Sequence, residues 1–385
     1  MAKVTMAARK EIMKRFEVAY RKANKTKKGR ILDSICESTG LSRSRARHLL
    51  SGSTPLKENK RKPGRTPKYN AVFVATLKKV WAFMDFACGR RLVAGMSDML
   101  EALISCGELE VNEDILTKLK TVSAATADRL LAKIKKGLTL KGKSTTKPGT
   151  LLKRDIPIRL GDEWGDAAPG FVEIDLVAHC GETTAGDYIN TLDVTDICTG
   201  WTETQAVLNK AQRHVFAALK EIENRQPFRY KGIDSDNGSE FINGHLYRWC
   251  KQEKIFFTRS RPNRKNDNCH VEQKNWHIIR RNIGYNRYEG QDAVDAMNNY
   301  YAMLRLYSNF FMPQAKLIGK IRVGARIRKQ YDIPKTPFRR VMESEQIPQV
   351  TKNELLETFE SLNPAALQRD MINALHQLES YRLQL

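Results

Sequence analysis

The sequence predicts a multi-domain protein: α-helical helix-turn-helix modules first, then an α/β core with a mixed sheet, then a basic, partly helical tail. Three observations carry this expectation. The 385 residues exceed what one small core organises. Positive charge collects at one end, with 33 Lys and Arg against 13 Asp and Glu in residues 1–150, and 33 against 30 in residues 151–385. Near residue 156 the apolar periodicity changes from helical to strand-like.

The first module, 1–52, contains ILDSICESTGLSRSRARHLL, which reads as helix, turn and second helix. Gly40 suits a left-handed turn position, Ser42 a helix cap, and Arg43, Arg45 and Arg47 make the second helix basic. Residues 53–69 form a basic linker punctuated by Pro and Gly. Its Arg65 and Lys68 either lie along a DNA groove or belong to a plain tether. The second helical module, 70–137, has Val72, Phe73, Leu77, Trp81, Leu100 and Leu103 to bury, and closes in DILTKLKTVSAATADRLLAKIKK. There Ser123 can cap a helix carrying Arg129 and Lys133. A Gly/Thr/Lys linker, 138–155, follows.

The net charge of +23 calls for a polyanionic partner, nucleic acid before a membrane surface, because Lys and Arg gain affinity by displacing counterions from phosphates. Seven cysteines show no paired spacing, which supports neither a zinc module nor a disulfide framework. The charged start and the lack of a long apolar run lead to the expectation of a cytoplasmic protein with no membrane role.

From 156 to 312 the order is three strands, helix, strand, helix, strand, helix. Asp175 interrupts the apolar run FVEIDLV, Asp236 follows a strand in IDSDNGSEF, and Glu272 opens the helical HVEQKNWHIIRR. A carboxylate within an apolar strand is costly unless paired or bound to a cation. Hard cations favour carboxylate oxygens, and two such ions activate the attacking oxygen and stabilise the leaving one in phosphodiester displacement. Arg264 and Lys265 before Glu272, and Lys274, Arg280 and Arg281 after it, are candidates to hold DNA phosphates. His270 and His277 are not needed as bases.

Sixty residues separate Asp175 from Asp236, and thirty-five separate Asp236 from Glu272. With EIDLV, DICTGWTE, DSDNGSEF and HVEQKNWHIIRR, residues 160–315 resemble the retroviral-integrase-type transposases of bacterial insertion sequences. The resemblance implies a ribonuclease-H-like core in which Asp175, Asp236 and Glu272 hold two Mg²⁺ or Mn²⁺ ions, with Asn237, Gly238 and Glu240 shaping a loop. The spacing selects Asp236 over Asp234; Asp193 and Asp196 are further neighbours that could be mistaken for ligands. The zinc module that precedes the retroviral core is missing, so the helix-turn-helix modules would hold the DNA ends. Implied partners are double-stranded DNA, both element ends and target, and further copies of the chain; the need for an accessory ATPase is left open. The rival readings are a nuclease that only hydrolyses and a DNA-binding regulator with an inactive core.

The tail, 313–385, starts basic and extended and ends in two helices. Leu367, Met371, Leu375 and Leu378 share a face that either packs on the core or serves contact between subunits.

Overall fold

The computed structural model describes residues 6–51, 68–135, 168–236, 238, 240–241, 244–260, 271, 274–324 and 326–383. The 53–69 linker, apart from its last two residues, and the 138–155 linker lie outside them. The chain forms two compact units, Met1–Lys68 and Tyr69–Leu385.

The described residues of the first unit form three helices, α1 (Met6–Lys22), α2 (Lys25–Thr39) and α3 (Arg43–Leu50). Met13, Tyr20, Leu32, Ile35, Ala46 and Leu50 make its core. The chain turns between α2 and α3 because Gly40 takes φ +67°, a conformation glycine enters without steric cost, and Ser42 then accepts the Arg45 N–H at 3.4 Å to cap α3. Arg43, Arg45 and Arg47 lie on the exposed side of α3, and Arg43 is ion-paired with Asp33.

In the second unit, helices α4 (Ala71–Phe83), α5 (Gly89–Ala94), α6 (Met96–Ser105), α7 (Glu113–Thr121) and α8 (Ala124–Lys135) precede the sheet. The sheet has strands β1 (Phe171–Ala178), β2 (Asn190–Asp196), β3 (Thr202–Val207), β4 (Gly232–Ser235) and β5 (Phe256–Arg259), in the order β3-β2-β1-β4-β5. β1–β2 and β2–β3 pair antiparallel, β1–β4 and β4–β5 parallel, which makes the sheet mixed. Helices α9 (Gln212–Arg225) and α10 (Gly244–Gln252) supply the two crossovers.

Alternation along the strands divides the sheet's side chains between two cores. Val172, Ile174, Val194 and Ile233 pack with Val215, Leu219, Ile222 and Trp249 from α9 and α10. Val177, Ile189 and Ala206 join the other core, built on the long helix Gln291–Phe311. Phe73, Leu77, Trp81, Leu100 and Leu103 are buried in that same core, so the described part of the 70–137 block, residues 70–135, is packed into the second unit and does not stand apart from it. Val72, by contrast, is exposed. Polar ties reinforce the packing: Arg281 forms a two-pronged pair with Asp85 at 2.6 and 2.9 Å, and the Tyr307 hydroxyl donates to the Phe83 carbonyl at 2.6 Å.

Of the tail, β6 (Leu317–Val323) and β7 (Arg326–Tyr331) form a separate two-stranded ribbon. Helices Pro337–Glu343, Gln349–Ser361 and Pro364–Glu379 follow. Met371 and Leu378 are buried and Leu367 and Leu375 pack against the core, which is how that face of the last helix is used. No described helix is long and apolar enough to cross a membrane.

Candidate active site

The parallel register of β1 and β4 sets Glu173 beside Asp234 and Ile174 beside Ser235. Asp175 follows Ile174 in β1, and Asp236 follows Ser235, the last residue of β4. The two carboxylates, with sixty residues between them in sequence, thus each stand one residue beyond the last β1–β4 pair, and Asp175 shares the strand face of Val177, which joins the core of the long helix.

The loop after β4 closes tightly on Asp236, whose Oδ1 accepts the Gly238 N–H at 2.8 Å. A Cβ at Gly238 would stand 2.6 Å from the Glu240 carboxylate and 2.9 Å from Asp236 Oδ1, so a side chain here would displace one or both carboxylates. Burial raises the Asp236 carboxyl to about 6; the Gly238 N–H opposes the rise and the Glu240 charge adds to it.

Asp175 Oδ1 accepts its neighbour's N–H, from Leu176, at 2.8 Å, and its Oδ2 accepts Asn275 Nδ2 at 2.6 Å. Glu173, fully buried two residues earlier and therefore on the same face, accepts the Val271 N–H at 3.0 Å. Val271 and Asn275 are thereby tied to β1, one to Glu173 and one to Asp175. Glu272 itself lies outside the described residues, as do Arg65, Asn237, Arg264, Lys265 and His270, and the side chain of Lys133. Among the described residues no three His, Cys, Asp or Glu side chains converge to hold a metal ion. The donors present are nonetheless carboxylate oxygens crowded against like charge, as at Asp236, and that set fits a hard divalent cation.

The neighbouring acids have other employment. Asp234 is buried and accepts the Thr258 hydroxyl, and Asp196 holds the β2–β3 turn by accepting N–H groups of Gly170 at 2.8 Å and Thr199 at 2.7 Å. Asp193, the cross-strand partner of Asp175, is fully buried, and its Oδ2 has no hydrogen-bond partner; burial pushes its carboxyl up. His277 is held near 4 by burial and nearby cations, and so is neutral at ordinary pH.

The basic residues after Glu272 are engaged within the chain. Buried Lys274 donates to the Gly200 carbonyl at 3.2 Å and to Gln314, Arg280 donates to the Ala178 carbonyl at 2.8 Å, and Arg281 holds Asp85. Arg129 is exposed and bends back to Thr126 at 3.0 Å, while Lys68, the last residue of the first unit, is exposed. Glu173 and Asn275 are the contributors that motif reading passed over. Strand alternation from Asp175 and a three-residue step from Glu272 are the signals that point to them.

Residues 165–265 match the integrase core domain family. Over 342 residues, 88% of this chain and 96% of its relative, the sequence is 37% identical to the uncharacterized protein y4rM of Sinorhizobium fredii (strain NBRC 101917 / NGR234). Among solved structures, the HTLV-2 integrase catalytic core domain in complex with magnesium is 13% identical, with a TM-score of 0.30 over 39% of this chain and 93% of that one. The catalytic core domain of BIV integrase is 15% identical, with a TM-score of 0.27 over 37% of this chain and 84% of that one.

Proposed function

This chain belongs to the family that the rhizobial protein y4rM represents and carries an integrase core domain, and from that membership we propose that it is a DNA transposase. It binds the terminal inverted repeats of its own element, hydrolyses one strand to free a 3′-hydroxyl, and directs that hydroxyl onto target DNA. The observation that supports the reading is the parallel register that pairs Ile174 with Ser235, the residues immediately before Asp175 and Asp236, with Val271 and Asn275 hydrogen-bonded to β1.

Asp175, Asp236 and Glu272 are the residues that would hold two Mg²⁺ or Mn²⁺ ions. Such ions, when bound, activate the attacking oxygen and offset charge on the leaving one. The protein's part is to keep the acids in place: Gly238 clamps Asp236, and Asn275 orients Asp175. The basic first unit, through Arg45 and Arg47 of α3, contributes affinity for the DNA ends, and several copies of the chain pair two ends.

The test uses the full chain and duplex DNA from the ends of its element. Mg²⁺ or Mn²⁺ should support cleavage and joining, and Ca²⁺ should not, because its larger and looser coordination shell misplaces the reacting oxygens. Glu272→Gln and Asp236→Asn should keep DNA binding and lose both reactions, while Asp234→Asn keeps part of the activity. Cleavage in the presence of chelator, or strand joining by Glu272→Gln at the wild-type rate, would refute the assignment.

A further inference from the structure

The ribbon of β6 and β7 carries Lys320, Arg322, Arg326, Arg328 and Lys329 and no acidic residue. It turns through Gly324 at φ +62°, and β7 is exposed along its whole length. Two-stranded hairpins are marginal in water. Ile318 and Ile327 are 64% and 63% exposed, so apolar surface stands in water among the cations.

The ribbon's root is firm. Asp332, directly after β7, accepts the Lys316 N–H at 2.6 Å, pairs with Arg340 at 2.8 Å, and its carbonyl accepts from Arg90 at 3.3 Å. Gln314, bridged to Lys335, accepts from Lys274, two residues after Glu272. Beside this root lies a cavity of about 380 Å³ whose walls include Arg91, Lys274, Arg281, Lys316 and Arg340.

We propose that the ribbon is an arm that grips duplex DNA, laying its cations along the phosphates of DNA led toward Asp175 and Asp236. The proposal rests on the transposase reading and adds an interaction surface to it. A ribbon with five cations and no acidic residue suits a polyanion, and a two-stranded ribbon has the dimensions that the major groove of B-form DNA admits. The absence of acidic residues on the ribbon favours DNA over a second copy of the chain, whose own ribbon would bring the same charge.

The experiment compares the wild-type full chain with the triple variant Arg326→Ser, Arg328→Ser, Lys329→Ser, all exposed positions outside any core. Affinity for duplex DNA is measured across a salt series, along with the melting midpoint and the sedimentation mass. Each lost phosphate contact lowers the log–log salt slope by about 0.9, so the variant should show a slope shallower by about 2–3 at an unchanged melting midpoint. A variant that keeps the wild-type slope, while wild type binds and cleaves DNA, overturns the ribbon assignment and leaves the transposase reading standing. An unchanged slope with a drop in assembly mass gives the ribbon to a second copy and also overturns it. Wild type that shows no salt-dependent binding to duplex DNA takes down both.

Discussion

Replacing Asn275 by alanine removes one hydrogen bond, from Asn275 Nδ2 to Asp175 Oδ2 at 2.6 Å, and little else. The amide's other end makes no partner lose out, because Asn275 Oδ1 is buried without one. Val271 stays bonded to Glu173, so the segment remains docked on β1. A hydrogen bond to an ionised acceptor contributes about 1.5–3 kcal/mol. If all of it serves to hold Asp175 in its reactive orientation, strand cleavage slows by about 10–150-fold. Asn275→Asp should be slower still, since it sets a second negative charge against Asp175. The assay is single-turnover cleavage of element-end DNA at saturating Mg²⁺, with DNA affinity measured alongside. Affinity should be unchanged. A cleavage rate for Asn275→Ala within about twofold of wild type would refute the positioning argument, since the bond would then carry under about 0.4 kcal/mol of the barrier.

Two further outcomes test the scaffold. Glu203, fully buried, accepts from Trp201 Nε1 at 2.9 Å, Arg225 Nε at 2.8 Å and Arg305 Nε at 2.9 Å, and so joins β3, α9 and the long helix. Glu203→Ala should destabilise the chain by about 3 kcal/mol in denaturant titration, the low end for a broken buried pair because both arginines keep some exposure; a loss under about 1 kcal/mol would count against the role. His179 is buried, its Nε2 shares a hydrogen bond with the Thr191 hydroxyl at 2.7 Å, and burial with the nearby Arg280 charge lowers it from 6.5 to about 3. The folded chain therefore keeps His179 neutral where the unfolded chain takes up a proton, so its share of stability is whole above pH 6.5 and is lost toward pH 3, by roughly 4–5 kcal/mol. His179→Gln should flatten the fall in stability across that window, and parallel pH curves for variant and wild type would show the group is not responsible.

The sequence by itself determined what local chemistry encodes. The Gly40 turn and the Ser42 cap of α3 depend on residues within a few positions of each other, and both stand as expected. Alternating apolar runs marked the sheet strands, and spacing with residue type marked Asp175 and Asp236 as a pair worth placing together. What those signals lack is any record of partners distant along the chain. Lys274, Arg280 and Arg281 look alike as a basic helical run, yet only tertiary packing gives them to Gly200, Ala178 and Asp85. The 70–137 block has apolar residues enough for a small core, but the Gln291–Phe311 helix offers a larger apolar surface, and the two bury each other. Glu173 and Asn275 take their roles from a register and a helix approach that no local window contains. Side-chain type is a property of the sequence; which donor meets which acceptor is decided by where the folded backbone brings them within three ångströms.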